Sequence, residues 1–261
     1  MHIQHCENLI EQMIADYDDD EPRGWFVVQQ SADPIIQLLN CSQIWFDWEK
    51  KHGYDKMEFK EYADAYNEFR LRYDGDARYY NSVLNDPAAA LRGDTVTSFY
   101  TPYKMMLKLV TGDVYHKCNN PFDDLIAKRN DPGFKEVNDI FTRFARDYQT
   151  QGNFILLPHR EMNPDRYKYS QDRIDMSLYE CFPGGNLAKY FGISPEAQNE
   201  NLIEWIKSQK LEFMFANGII ERDMIITFNK NNPYVSYEKM IKEELQEFID
   251  NAVAFIARRS G

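Results

Sequence analysis

Residues 141–182 read FTRFARDYQTQGNFILLPHREMNPDRYKYSQDRIDMSLYECF. Phe141, Phe144, Ala145 and Tyr148 recur at helical spacing, so the stretch opens as the end of an amphipathic helix. Gly152-Asn153 reads as a turn, and Phe154-Ile155-Leu156-Leu157 as a short strand. A Pro-containing segment carrying His159, Arg160, Asn163 and Arg166 comes next. A second helix, begun near Ser170, holds Asp172, Arg173 and Asp175 and stops at Pro183-Gly184-Gly185.

Working outward, helical spacing recurs on both sides. Ile3 to Tyr17 places Ile3, Cys6, Ile10, Met13, Ile14 and Tyr17 on one face, and Pro22 ends the pattern. Gly24 to Val28 reads as a strand, and Asp33-Pro34 opens a short helix. Asp55 with Glu58 forms a capping box for a helix striped by Phe59, Tyr62, Tyr66, Phe69 and Tyr73. Further helices are expected from Ser98 or Pro102 to Val110, from Asn120-Pro121, from Asp131-Pro132, from Ser194-Pro195 to Asn217-Gly218, and from Ser236 onward with Ile241 on the apolar face. Met224 to Phe228 reads as a strand. The fold expected is mainly α with two or three short strands, a single compact domain over 1–261 whose best composition break is the turn-rich region 74–94. A small sheet would pair 25–28 with 154–157 across a long stretch of chain.

At 261 residues, with 43% hydrophobic residues and 15% aromatics, the chain can bury a large core without covalent staples. Its 42 acidic against 30 basic side chains leave a net charge of −12. A field of that sign disfavours nucleic acid and anionic membrane surfaces as partners. Cys6, Cys41, Cys118 and Cys181 form no C-x-x-C pair, which points to reduced thiols. No Lys or Arg precedes Arg23, and no apolar run is long enough to span a bilayer. The expected location is the cytoplasm.

Chemistry concentrates in the quoted stretch. Arg143, Arg146, Arg160, Arg166 and Arg173 are five of the chain's fourteen arginines. Guanidinium groups grip carboxylate or phosphate through paired donors, so a small anionic ligand or nucleotide is one reading. Ion pairing with neighbouring acids, Arg143 with Asp139 or Asp147, is the other. His159, at the end of a strand, is a candidate proton carrier or a surface residue. Asp172 and Asp175 are candidates for acid–base or hard-cation chemistry, or helix-start charges; no metal is assigned. Upstream, Arg92-Gly93-Asp94-Thr95-Val96-Thr97-Ser98 packs a turn and hydroxyls ahead of a helix, where an anion or a cap would fit. The candidate ligand set is therefore Arg92, Asp94, Thr95, Ser98, Asn153, His159, Arg160, Asn163, Arg166 and Arg173. No G-x-x-x-x-G-K, G-x-G-x-x-G, H-E-x-x-H or G-x-S-x-G occurs, and the residues name no cofactor.

Arg92 to Phe99, and Gly152 to Pro158 with Asn163 and Arg166, resemble a family of uncharacterised bacterial proteins that carry a G-D-T…S segment followed by G-N-F-x-x-L-P. The resemblance spans roughly 90–260. The family has no assigned activity, so it implies no mechanism and no catalytic residue. Similar members carry His-Thr before Gly-Asn-Phe, where this chain has Gln149-Thr150-Gln151.

Two functions are consistent with the residues: a pocket for a small anionic ligand built from the Arg/His cluster, or a non-enzymatic protein–protein interaction or regulatory module. The aromatic excess and acidic surface favour a homo-oligomer or protein partner in the second. Whether the chain is an enzyme is left open by the sequence.

Overall fold

The helix ahead of Gly152 forms as its spacing requires. In the computed structural model, which describes residues 34–35, 93–113, 127–148 and 151–260, β1 is Gly93–Thr95, α1 Tyr100–Thr111 and α2 Pro132–Asp147. Asp131 is extended ahead of Pro132, whose ring suits the first helical position. Phe134, Val137, Asn138, Phe141, Phe144 and Ala145 form the buried stripe of α2. It packs on α1 through rings: Phe99 stacks on Tyr103 at 5.2 Å and meets Phe141 edge-on at 5.6 Å and Phe144 at 5.4 Å. Buried tyrosine needs a partner for its hydroxyl, and Tyr103 donates to Asn138 Oδ1 at 2.6 Å. α1 ends at Gly112, whose φ of +80° needs a residue without Cβ and whose N–H closes on the Lys108 carbonyl.

The remaining elements are β2 Phe154–Leu156, α3 Met162–Ser170, α4 Ile174–Cys181, α5 Pro195–Ser208 and α6 Lys242–Ser260. The described residues are mainly helical, with one two-stranded sheet. Short 3-10 turns join them, including Gln151–Asn153, Ala188–Tyr190, Arg222–Met224 and Tyr237–Lys239. α6 matches its dipole with Glu243 and Glu244 in the first turn and Arg258 and Arg259 in the last. Leu245, Phe248, Ile249, Ala252, Val253 and Ile256 cover α1 and α2.

The expected strand at 154–157 forms, and its partner among the described residues is a segment read from the sequence as a loop. β2 pairs antiparallel with β1, in the register Gly93↔Leu156, Asp94↔Ile155 and Thr95↔Phe154. Within the segment expected as a turn and anion loop, Gly93–Thr95 is strand and Thr97 forms a bridge, because Phe154–Leu156 and Arg173 supply their backbone partners. The expected strands and helices at 3–17, 24–28 and 55–73, and the opening of the Asn120 helix, lie outside the described residues. On the side of β2 away from β1, side chains of α5 and its end take the Leu156 backbone groups: Trp205 Nε1 donates to the Leu156 carbonyl at 2.7 Å, and the Leu156 N–H to Gln209 Oε1 at 2.8 Å.

Four boundaries move. The segment around Asn163 is helical, since Pro164 falls in a first turn where no N–H bond is lost. Gln171 and Asp172 both take positive φ, +53° and +54°, so the expected helix is cut and Asp172 falls outside α4. α5 stops at Ser208 rather than near Asn217, and Met224 to Phe228 makes one isolated bridge, Phe215↔Ile225, in place of a strand. Ser236 precedes a 3-10 turn rather than α6, which leaves Ile241 exposed.

Gly152 decides how α6 docks. A Cβ there would collide with the Ile256 carbonyl and Ser260 Oγ, so glycine is required for close approach of two backbones. Arg259 then reaches across to donate to the carbonyls of Gly152 at 2.6 Å, Phe154 at 2.9 Å and Gln209 at 3.0 Å. Gly152→Ala is expected to destabilise the protein by about 1–3 kcal/mol through overpacking, seen as a lower urea midpoint at unchanged slope. A midpoint equal to wild type would show that α6 does not need this contact.

Candidate functional site

Arg166 lies on the inner face of α3, in line with Met162 and Ser170 at four-residue spacing. Its side chain is 0% exposed and ion-pairs with the Asp94 carboxylate of β1. NH1 also donates to the Thr95 carbonyl at 3.0 Å, Nε to Ser177 Oγ at 3.0 Å, and NH2 to the Val96 carbonyl at 3.4 Å. Ser170 Oγ donates to the Arg166 carbonyl at 2.7 Å and sits 2.8 Å from Ser177 Oγ. One guanidinium thus joins α3 and α4 to β1.

Arg173 repeats the arrangement one turn of chain later. Nε and NH2 donate to Asp175 Oδ1 and Oδ2 at 3.2 and 2.8 Å, with both side chains 0% exposed. NH1 donates to the Val235 carbonyl at 2.5 Å. The guanidinium also lies 4.8 Å from the Phe248 ring and 5.5 Å from Tyr237. Burial works against its charge, but the adjoining Asp175 carboxylate outweighs that and holds the Arg173 pKa above its ordinary value. Asp175 is filled as well, since its two oxygens accept the N–H groups of Met176 and Phe228. Burial raises the Tyr237 phenol, which lies 3.3 Å from Thr97 Oγ1.

Among the described residues, Arg166 and Arg173 are turned inward onto carboxylates and do not line an open pocket. Asp94, Thr95 and Arg166 come together, but inward, each bonded to the others. Asn153 is buried in the turn before β2: its Nδ2 donates to the Tyr148 carbonyl at 2.8 Å and its Oδ1 accepts from the Thr97 N–H at 3.3 Å. Ser98 is buried behind β1, and Asn163 is half-buried at the start of α3. Arg92 lies outside the described residues. Arg143 and Arg146 point outward from α2. They lower the Asp147 pKa from a distance, less than burial raises it; the contact pairing expected of Arg143 is not formed. Asp172 and Asp175 do not face each other across a helix, and among the described residues no three His, Cys, Asp or Glu side chains gather for a metal ion. Cys181 is buried, and burial pushes its thiol up, away from the thiolate that attacks.

His159 and Arg160 reach the surface. His159 Nδ1 lies 2.7 Å from Glu161 Oε2, and Arg160 Nε donates to Glu161 Oε1 at 3.0 Å. His159 and Glu161 edge an open cleft of about 580 Å³ whose other wall is Lys189, Tyr190, Phe191, Gly192 and Ile193. Lys189 Nζ pairs with Asp165 at 2.6 Å, and the Tyr190 hydroxyl lies 2.7 Å from Asp165 Oδ2 and 2.8 Å from the Glu161 carbonyl. The wall is rigidly tied to α5: Asn201 Nδ2 donates to the Phe191 carbonyl at 2.6 Å, Gln198 Nε2 to the Gly192 carbonyl at 3.1 Å, and Trp205 packs edge-on against Phe191 at 5.5 Å. Ile193, at the lip, has a relative exposure of 103%.

Sequence reasoning singled out His159 and Arg160 but not Lys189, Tyr190 or Ile193. A signal was present. Ile193 precedes the Ser194 cap, where an apolar residue usually folds back on the fourth helical position. That position is Gln198, which leaves Ile193 without an apolar partner of that kind. A scan of protein-family models, a search of curated proteins and a search of solved structures each return no match.

Replacing Asp175 by Ala leaves a buried guanidinium without its carboxylate and is expected to cost about 3–5 kcal/mol in urea unfolding; a loss below about 1 kcal/mol would mean that other groups neutralise Arg173. Hydrogen bonds from His159 and then Arg160 hold the Glu161 carboxyl down at about 2, from an ordinary 4.5. A depressed acid contributes stability above its unfolded value, and that contribution disappears as pH falls toward 2. Carbon-detected NMR should find the Glu161 midpoint near 2, moving up in His159→Gln. A midpoint near 4.5 in the wild type would show that the triad does not persist in solution.

Proposed function

We propose that this chain is a non-enzymatic recognition module whose docking site is the cleft between His159–Glu161 and Lys189–Ile193. The observation that carries this reading is Ile193: a fully exposed isoleucine on a turn tied to α5 at both neighbouring carbonyls. A lone exposed apolar side chain is ordinary. Here it stands at the rim of an open cleft with aromatic walls, already fixed in place, so little conformational freedom is lost on binding.

The charged groups of the cleft favour a protein over a small anion. His159, Arg160 and Lys189 each have a carboxylate within 3.0 Å, so an incoming anion would compete with partners already in place. A net charge of −12 over the chain steers basic surfaces toward it and opposes a second copy of itself. The occupant is therefore a protein that presents an apolar side chain within a basic surface.

The test needs a purified partner, obtained by capture on the immobilised chain and then expressed alone. Ile193→Asp should weaken its binding at least about tenfold, or 1.4 kcal/mol, and added salt should slow association. Ile226→Asp, at a half-exposed position outside the cleft, should bind as wild type does. Equal affinity for Ile193→Asp, or a dimer in sedimentation that Ile193→Asp dissociates, would overturn the assignment.

A further inference from the structure

The guanidinium of Arg222 departs from the pattern set by Arg166 and Arg173. It sits over the Tyr179 ring with Cζ 3.8 Å from the centroid, and Tyr179 in turn packs on Tyr234 at 4.6 Å. Among the described residues no carboxylate lies within ion-pair distance of Arg222, and no hydrogen bond uses its terminal nitrogens. Its Nε is sealed from water without an acceptor. Asp223, next in the chain, is exposed and does not pair with it. Stacking on an aromatic face orders a guanidinium while leaving its in-plane N–H donors unused. Half-buried, ordered and positively charged, Arg222 presents a donor fork with no acceptor.

The platform beneath it is built by the buried pair described above. Tyr179 belongs to α4, whose first turn holds Asp175. Tyr234 precedes Val235, whose carbonyl is held by Arg173. Tyr234 takes φ +62°, a conformation that an aromatic residue adopts only under constraint. Burial raises its phenol to about 12, so at neutral pH it does not cancel the neighbouring charge.

The geometry points to Arg222 on its Tyr179–Tyr234 platform as a binding site for an oxyanion head group, the carboxylate or phosphate of a small molecule. Two oxygens of such a group match the paired donors of a guanidinium edge. The site is separate from the cleft at Ile193 and stands without it.

Thermal unfolding of the full chain tests this with three sodium salts at matched ionic strength: phosphate, succinate and chloride. Phosphate or succinate should raise the melting temperature above chloride by about 3 °C at tenfold saturation; whichever acts identifies the head group. Arg222→Gln should abolish the rise, and Arg222→Lys, which keeps the charge but not the fork, should lose most of it. Arg143→Gln, at an exposed position on α2, should respond as wild type. Equal melting temperatures in all three salts, or a rise that persists in Arg222→Gln, would overturn the site. Should Arg222→Gln fail to fold, the arginine Nε–H resonance missing from the Arg222→Lys spectrum must move when phosphate is added to wild type. If it stays in place, the site is overturned in the same way.

Discussion

A guanidinium taken out of water has to find a carboxylate, because the desolvation of an uncompensated charge would exceed the net stability of a whole domain. Among the described residues, two arginines meet that condition within eight residues of each other. Arg166 pairs with Asp94, and Arg173 with Asp175. Each also bonds to backbone carbonyls, so the pairs do more than neutralise charge. They set where segments distant in sequence lie against one another.

The consequences spread from these two points. Arg166 fixes β1 against α3 and α4, and β1 in turn is the hydrogen-bonding partner of β2. An isolated bridge between Thr97 and Arg173 continues the contact past the sheet. Arg173 holds Val235 and faces the rings of Tyr237 and Phe248, which brings the segment before α6 onto the same body. From the other side Arg259 and Gly152 lock the end of α6 to the turn before β2. A three-residue strand pair is too short to stand alone; here Arg166 holds it at Asp94 and Thr95, and Arg259 at the Phe154 carbonyl.

With these side chains committed to the interior, the proposed recognition sites use groups that the fold leaves unmatched. Ile193 is turned outward by a turn that α5 pins, and Arg222 is stacked on an aromatic ring without an acid. Each is set in place by its surroundings, Ile193 through the turn that α5 holds and Arg222 through the Tyr179 ring. That combination separates a docking side chain from a merely exposed one.

Local chemistry made much of the fold legible in the sequence. The 3.6-residue spacing of Phe134, Val137, Phe141 and Phe144, the Asp131-Pro132 start, the Ser194 cap and the apolar run Phe154–Leu157 each act through neighbours in the chain, so each could be read in place. Segments 93–99 and 152–158 contain the two paired strands. What could not be read was pairing at a distance. Asp94 and Arg166 lie seventy-two positions apart, and no local pattern says that an arginine in a polar-looking helix points inward or that Asp94 waits for it. The same holds for the partner of β2, for the left-handed break at Gln171-Asp172, and for the outward turn of Arg143 and Arg146. Sequence alone determined the starts of α2 and α5, the acidic charge and the supply of arginines. Tertiary structure alone decided which guanidiniums met carboxylates and which stayed open, because that depends on distances between side chains that the chain brings together only when folded.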